Sequence, residues 1–454
     1  MGRLFGTDGV RGIANDTLSC ELAMQIGRAA ALVLSDSMRR RPLFVIGTDT
    51  RISSKMLCAA VTAGLCSVGA DVIDLGVIPT PAVAFLVGKY KADAGVVISA
   101  SHNTYEYNGI KIFSGDGYKL PDALEEEIES IILDNAKVPE MRIGADIGRV
   151  TQGENAIKDY VDHLKSTVPY SLEGMKIAVD CANGASYQTA ERLFTELGAE
   201  CHFLFNRPDG FNINDGCGST HPEALQAYVK ENQLDAGVAF DGDADRCFCV
   251  DEKGNLVDGD FIMAICARDM KERGKLARHT IVGTIMTNLG FIRFCEENNI
   301  SFVATKVGDR FVLEQMLLEE FNFGGEQSGH VIFRDFATTG DGELTAIQLL
   351  SQMRRTQAKL SDLATCMKRF PQTLINIRTS PEGKLAFYTD PVIKEAMEKA
   401  KQHLGQEGRL VVRASGTEPL MRVMVEHEDA SEADRIAREV ANVIDLRLNG
   451  GKKK

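Results

Sequence analysis

Short apolar runs rich in β-branched residues alternate along this chain with stretches whose apolar positions recur at helical spacing. In the first part, strands are predicted over residues 43–47, 72–75, 95–98 and 108–113. Helices are predicted over residues 22–34, 54–68 and 121–134. Periodicity weakens over residues 138–151 and then resumes. Strands at 175–181, 201–205 and 236–240 are interleaved with helices at 158–166, 186–197 and 223–232. A third stretch carries strands at 280–285, 301–305 and 331–333, with helices at 261–272, 290–298, 308–320 and 341–354. The pattern shifts again near Phe370-Pro371, beyond which strands at 374–377 and 409–413 precede a closing helix at 432–446. Alternating β and α predicts largely parallel sheets. The fold class expected is α/β in four domains: 1–150, 151–252, 253–368 and a smaller α+β domain at 369–454. The first three carry the same rhythm, each with a strand that runs into a polar loop, which reads as a weak structural repeat.

The length of 454 residues agrees, being enough for about three or four domains. A net charge of −13 argues against nucleic acid or an anionic membrane as the main partner. Any site for an anionic ligand must therefore gather its cations locally. Eleven cysteines without a CxxC pair read as reduced thiols, which places the chain in the cytoplasm. The N-terminus has no apolar signal core and misses a myristoylation pattern at Gly6. No apolar stretch is long enough to span a bilayer.

Five loops carry candidate chemistry. The apolar run Gly95–Ile98 stops at Ser99-Ala100-Ser101-His102-Asn103, which places Ser101 at the rim of a sheet. A serine there is either part of a polar turn or, once phosphorylated and shielded by a cation, a phosphoryl donor. The run Ala236–Phe240 leads directly into Asp241-Gly242-Asp243-Ala244-Asp245-Arg246. In an extended segment the three alternating aspartates point one way, repel each other and invite a hard divalent cation. Arg246 and a nearby lysine would offset the remaining negative charge. An EF-hand is excluded by Arg246 at the position that needs Gly and by apolar strands in place of flanking helices; a structural acidic turn stays open. Gly324–His330 sets Glu326, Ser328 and His330 between glycines, suited to sugar hydroxyls or an amino group and to proton transfer, or simply a polar surface loop. Arg413-Ala414-Ser415-Gly416-Thr417 reads as a phosphate nest or as a Ser/Gly turn. The glycine-rich Phe5–Gly12, with Arg11, reads as a turn leading into a strand or as a close approach to a phosphate.

Taken together and in order, these five motifs resemble the α-D-phosphohexomutases, and the resemblance covers essentially the whole chain. It implies four domains around a central cleft, a phosphoserine at Ser101, and Mg²⁺ held by Asp241, Asp243, Asp245 and the Ser101 phosphate. It implies that Glu326 and Ser328, with Arg246 and Gly308, bind the sugar. Arg413, Ser415, Gly416 and Thr417 would hold the phosphate not being transferred. Arg11, Lys111, His102 and His330 match catalytic positions for phosphate handling and proton transfer. Gln327 favours the branch acting on glucosamine phosphates over those acting on glucose or mannose phosphates. The expected reaction interconverts the 6- and 1-phosphates through a 1,6-bisphosphate that exchanges its ends, with the last domain closing about a hinge near Phe370. The resemblance implies small amino-sugar phosphates as partners and a sugar 1,6-bisphosphate as activator. It also implies first phosphorylation of Ser101 by that bisphosphate, by a kinase or by the enzyme itself, and allows a homodimer. Thr104 departs from the family pattern, where Pro follows the Asn. The alternatives from other classes are a catalytically silent sugar-phosphate binder and a phosphatase.

Overall fold

The computed structural model describes residues 2–6, 8–35, 41–415 and 419–450. Contacts divide the chain into two compact units. The first comprises residues 1–284 and 303–366, the second residues 285–302 and 367–454.

Three sheets occupy the first unit. The first is built from β1 (Val10–Ile13), β2 (Leu43–Thr48), β3 (Asp71–Val77), β4 (Ala94–Ile98), β5 (Tyr107–Ser114) and β6 (Val150–Gln152) in the order β1-β5-β4-β2-β3-β6. The pairs β2–β3, β2–β4 and β3–β6 are parallel, whereas β4–β5 and β5–β1 are antiparallel. The second comprises β7 (Lys176–Asp180), β8 (Glu200–Leu204), β9 (Ala236–Phe240), β10 (Cys247–Asp251) and β11 (Leu256–Val257), ordered β11-β10-β9-β7-β8. The third comprises β12 (Thr280–Thr284), β13 (Ser301–Thr305), β14 (Phe323–Gly325) and β15 (Val331–Phe333), ordered β13-β12-β14-β15. The expected largely parallel sheets are thus mixed. In each of the three, a parallel strand returns through an antiparallel partner: β4 into β5, β9 into β10, β14 into β15. The Ser101, Asp241 and Glu326 loops singled out in the sequence are those returns.

The strand β4 shows why these loops start abruptly. Ala94, Val96 and Ile98 face the core under the helices Cys20–Leu34, Ser54–Ser67 and Asp122–Leu133. Strand alternation turns Gly95 to the other face, where a Cβ would meet Val87 Cγ2 at 2.5 Å. Val87 belongs to Thr80–Tyr90, a helix that starts on Thr80-Pro81 and that the apolar pattern had not revealed. With both faces covered, β4 is entirely buried and reads as a continuous apolar run. Polar residues begin only at its end.

The second unit holds an antiparallel sheet, β16 (Gln372–Arg378), β17 (Gly408–Ala414) and β18 (Leu420–His427), ordered β16-β18-β17. The helices Pro391–Leu404 and Ala430–Asn449 cover it. Buried Glu426 ties the helix Leu289–Glu297 to this sheet by accepting from Asn288 Nδ2 at 2.9 Å and Leu289 N at 3.0 Å. All eleven cysteines are free thiols. Among the described residues no helix is long and apolar enough to cross a membrane.

Helices Cys20–Leu34 and Ser54–Ser67 cross closely through Gly27 and Gly64. A Cβ on Gly27 would lie 2.4 Å from Val61 O, and one on Gly64 2.2 Å from Met24 O. Alanine at either site gains ~1 kcal/mol of helix propensity but forces two backbones apart, at a cost of about 1–3 kcal/mol. Gly64→Ala is expected to lower the midpoint of denaturant unfolding, with the slope unchanged, when followed by circular dichroism.

Candidate functional site

The first unit brings the Ser101 and Asp241–Arg246 loops into contact. Ser101 is buried, with a left-handed φ of 52°. Its Oγ donates to Asp241 Oδ2 at 2.7 Å and lies 3.3 Å from His102 Nδ1. Its own N–H donates to Ser99 Oγ at 3.0 Å, and Ser99 Oγ donates in turn to Asp49 Oδ2 at 2.7 Å. Close packing completes the arrangement: a Cβ on Gly242 would lie 2.6 Å from Ser101 O.

The three aspartates converge, though not in the way their alternation suggested. Residues 242–245 form a turn rather than an extended segment, with Ala244 N donating to Asp241 O at 3.0 Å and Ala244 at a φ of 58°. The turn still collects ligand oxygens of Asp241, Asp243 and Asp245 within 4.8 Å of one another, all buried. Burial, then Asp245 and Asp243, pushes the Asp241 carboxyl up to about 8. Asp245 moves the other way. Burial opposes its charge, but Lys111, His330 and Arg246 outweigh that and hold it far below the usual carboxylate range. Buried Asp243 Oδ1 and Asp245 Oδ1 have no hydrogen-bond partner. A compact set of hard oxygen donors with two atoms unsatisfied fits a divalent cation, which would return Asp241 to its charged form.

Cations line the other side. Lys111, on β5, donates to Asp243 Oδ2 at 2.7 Å and sits 3.0 Å from Asp8 Oδ2 and 3.7 Å from Asp245 Oδ2. Burial works against its charge, but Asp243, Asp8 and Asp245 prevail and raise its pKa. Thr80 supplies a second donor to Asp243 Oδ2, at 2.6 Å. Arg11, on β1, pairs with Asp8. Arg246 caps the trio, donating its N–H to Asp241 Oδ1 at 3.2 Å.

The loop Glu326–His330 joins this cluster through His330. Its Nδ1 is 3.7 Å from Asp245 Oδ2 and its Nε2 is 3.6 Å from Asp309 Oδ2. Gly340 N donates to Nε2 at 3.1 Å, so the neutral ring keeps its proton on Nδ1, toward Asp245. Burial lowers the pKa of His330, yet Asp245 and Asp309 outweigh it and the net shift is upward. His102 moves down to about 4, through burial and then the charges of Arg246 and Arg11, so its ring is neutral near pH 7. Glu326 accepts from Gly308 N at 3.0 Å, and burial followed by Asp309 raises its pKa. Ser328 Oγ is buried without a hydrogen-bond partner.

Ser101, His102, Arg11, Lys111, Asp241, Asp243, Asp245, Arg246, Gly308, Glu326, Ser328 and His330 all lie in the first unit. Arg413 and Ser415 lie in the second, at the turn between β17 and β18. Arg413 stands opposite Arg422, Ser415 N donates to Leu420 O at 2.8 Å, and Lys384 Nζ donates to Ser415 O at 2.6 Å. Gly416 and Thr417 lie outside the described residues. The sequence reading missed several residues that complete the first-unit cluster: Asp8, Thr80, Lys119 and Asp309, and beneath the serine loop Asp49, Arg51 and Asn214. Lys119 bridges Asp8 at 2.5 Å and Asp309 at 2.6 Å. Asp8 and Asp309 each adjoin a glycine of a motif already noted, and that adjacency was the available signal. Thr104 contributes a backbone carbonyl, an atom that Pro also supplies, so its departure from the family pattern removes nothing here.

Comparison with known proteins agrees in every part of the chain. Descriptions of the phosphoglucomutase/phosphomannomutase family match in order: alpha/beta/alpha domain I over residues 2–138, domain II over 158–254, domain III over 258–370 and the C-terminal domain over 374–443. Phosphoglucosamine mutase of Clostridium novyi (strain NT) is 53% identical over 449 residues, covering 99% of this chain and 100% of that protein. Phosphoglucosamine mutase of Caldanaerobacter subterraneus is 54% identical, with the same coverage. In fold, the chain is similar to a phosphoglucomutase/phosphomannomutase family protein from Burkholderia thailandensis, with a TM-score of 0.82 at 24% identity over 99% of this chain and 98% of that one. With full-length relatives at this identity, the chain belongs to the phosphoglucomutase/phosphomannomutase family, the α-D-phosphohexomutases.

Proposed function

We propose that this chain is a phosphoglucosamine mutase, an isomerase that interconverts glucosamine 6-phosphate and glucosamine 1-phosphate through a phosphoserine at position 101. The observation that carries the reading is Ser101 Oγ held 2.7 Å from Asp241 within a buried trio of carboxylates. The full-length relatives named phosphoglucosamine mutase support the choice of an amino sugar, as does Gln327 in the sugar loop.

In this reading Asp241, Asp243 and Asp245, with the phosphate on Ser101, would hold Mg²⁺, which would supply positive charge to the phosphoryl oxygens. Lys111, Arg246 and Arg11 add fixed cations around the same oxygens. Glu326, Ser328, Gly308 and Arg246 orient the sugar, and the unsatisfied Ser328 hydroxyl is a donor ready for a sugar oxygen. His330, already flanked by two carboxylates, takes and returns the proton of the attacking hydroxyl. When Ser101 is dephosphorylated its hydroxyl donates to Asp241, with the neutral His102 ring beside it at 3.3 Å. Arg413, Ser415, Gly416 and Thr417 hold the phosphate not being transferred. The 1,6-bisphosphate formed after the first transfer must exchange its ends before Ser101 recovers a phosphoryl group. A sugar 1,6-bisphosphate or a kinase primes Ser101, and the reaction takes place in the cytoplasm.

Incubating the protein with glucosamine 1,6-bisphosphate should add the mass of one phosphoryl group, read by intact mass spectrometry. Ser101→Ala should add none and should lose at least ~10³-fold in kcat. Unchanged turnover in that variant sinks the reading. Faster wild-type turnover of glucose 1-phosphate than of glucosamine 1-phosphate instead reassigns the branch. Steady release of inorganic phosphate without isomerisation makes it a phosphatase.

For the cation, Mg²⁺ at a hundredfold excess over its Kd should stabilise the wild type by ~2.7 kcal/mol in thermal melting. The stabilisation should vanish in Asp241→Asn/Asp243→Asn. An equal response of both proteins removes the trio from metal binding.

A further inference from the structure

The Ser101 loop is held from beneath by side chains that bond its backbone rather than the Ser101 hydroxyl. Arg51 follows β2 and is fully buried as one half of an ion pair with Asp49, Nε to Oδ2 at 2.7 Å. Its guanidinium donates to four backbone carbonyls: Ser101 O at 2.9 Å, Asn103 O at 2.8 Å, Tyr107 O at 3.0 Å and Thr104 O. Asn214, from the second sheet's domain, donates through Nδ2 to Ser101 O at 2.8 Å and Asn103 O at 2.9 Å. Asp49 also accepts from Ser54 Oγ at 2.6 Å and from Ser99 Oγ, which in turn receives the Ser101 N–H. One buried carboxylate thus governs the loop twice, through Arg51 on its carbonyl side and through Ser99 on the Ser101 amide.

The arrangement has a physical purpose that ordinary core packing would not need. Ser101 occupies a left-handed conformation that costs of order 1–2 kcal/mol for a residue with a Cβ. A bare carbonyl turned toward a dianionic phosphate would also repel it. Gathering four carbonyls onto one planar cation opposes both effects, and only a fork with several fixed donors can do so.

We infer that Arg51, oriented by Asp49, is a positioning residue that keeps the Ser101 loop in the conformation from which phosphate is transferred. The inference rests on the phosphoserine reading above.

Arg51→Lys keeps a cation beside Asp49 but removes the fork. The expected result is a 10- to 100-fold fall in kcat with KM for glucosamine 6-phosphate within twofold of wild type. Amide hydrogen exchange should accelerate over residues 100–107 and stay unchanged elsewhere. Arg51→Ala should recover part of its lost kcat in millimolar guanidinium, which a merely structural arginine would not allow. A kcat within twofold of wild type, or exchange that rises evenly along the chain, overturns the inference. If both Arg51 variants fail to fold, Asn214→Ala, which loses two bonds to the same carbonyls, takes their place: the same split between kcat and KM is expected, and its absence overturns the inference. Wild-type protein without mutase turnover would sink the functional reading, while the exchange measurement would still judge the loop.

Discussion

Three carboxylates buried within 4.8 Å of one another are the constraint around which the first unit is arranged. Like charges at that spacing cannot all ionise without compensation. The protein answers locally and from several directions. Lys111 reaches in from β5, Thr80 from the start of a helix, Arg246 from the end of the same loop, and His330 from the third sheet. The compensation is incomplete, since Asp241 remains shifted to about 8 and two oxygens stay unsatisfied. An incompletely neutralised, rigid cluster of hard oxygens is suited to a cation that arrives from solution. Such a cluster costs stability while its charge stays uncompensated.

A single structural device delivers the side chains to this cluster. In each of the three sheets of the first unit, a buried parallel strand ends, turns and comes back antiparallel. The buried strand is apolar because both faces are covered, so polar residues concentrate in the turn. The Ser101, Asp241 and Glu326 loops are three instances. In the second unit, β17 and β18 set Arg413 opposite Arg422 in an antiparallel pair. Repetition of a fold element, rather than of sequence, thus yields loops with different chemistry on similar supports.

Rigidity around Ser101 is equally a product of burial. The Asp49–Arg51 pair has no access to solvent, so its hydrogen bonds meet no competition from water. A surface pair of the same composition would contribute little. Here the pair serves geometry: it fixes where Ser101 Oγ stands relative to Asp241, and phosphoryl transfer depends on position more than on covalent activation.

Much of this was legible in the residues themselves. The continuous apolar runs Ala236–Phe240 and Gly95–Ile98, each breaking into small polar residues, marked the strands and their loops because full burial leaves an unmistakable composition. Asp241, Asp243 and Asp245 read from their charge as candidate cation ligands or as an acidic turn, and the turn that assembles them is not the extended segment their spacing suggested. The antiparallel direction of the return strands and the helix Thr80–Tyr90 were not legible. Apolar periodicity reports which face is buried, not which partner buries it or in which direction the chain runs. Nothing in the sequence pattern singled out Asp8, Asp49, Arg51, Lys119, Asn214 or Asp309. Their contacts span from two to about two hundred positions along the chain, and only the packed structure brings those positions together and strips away the water that would otherwise have screened them.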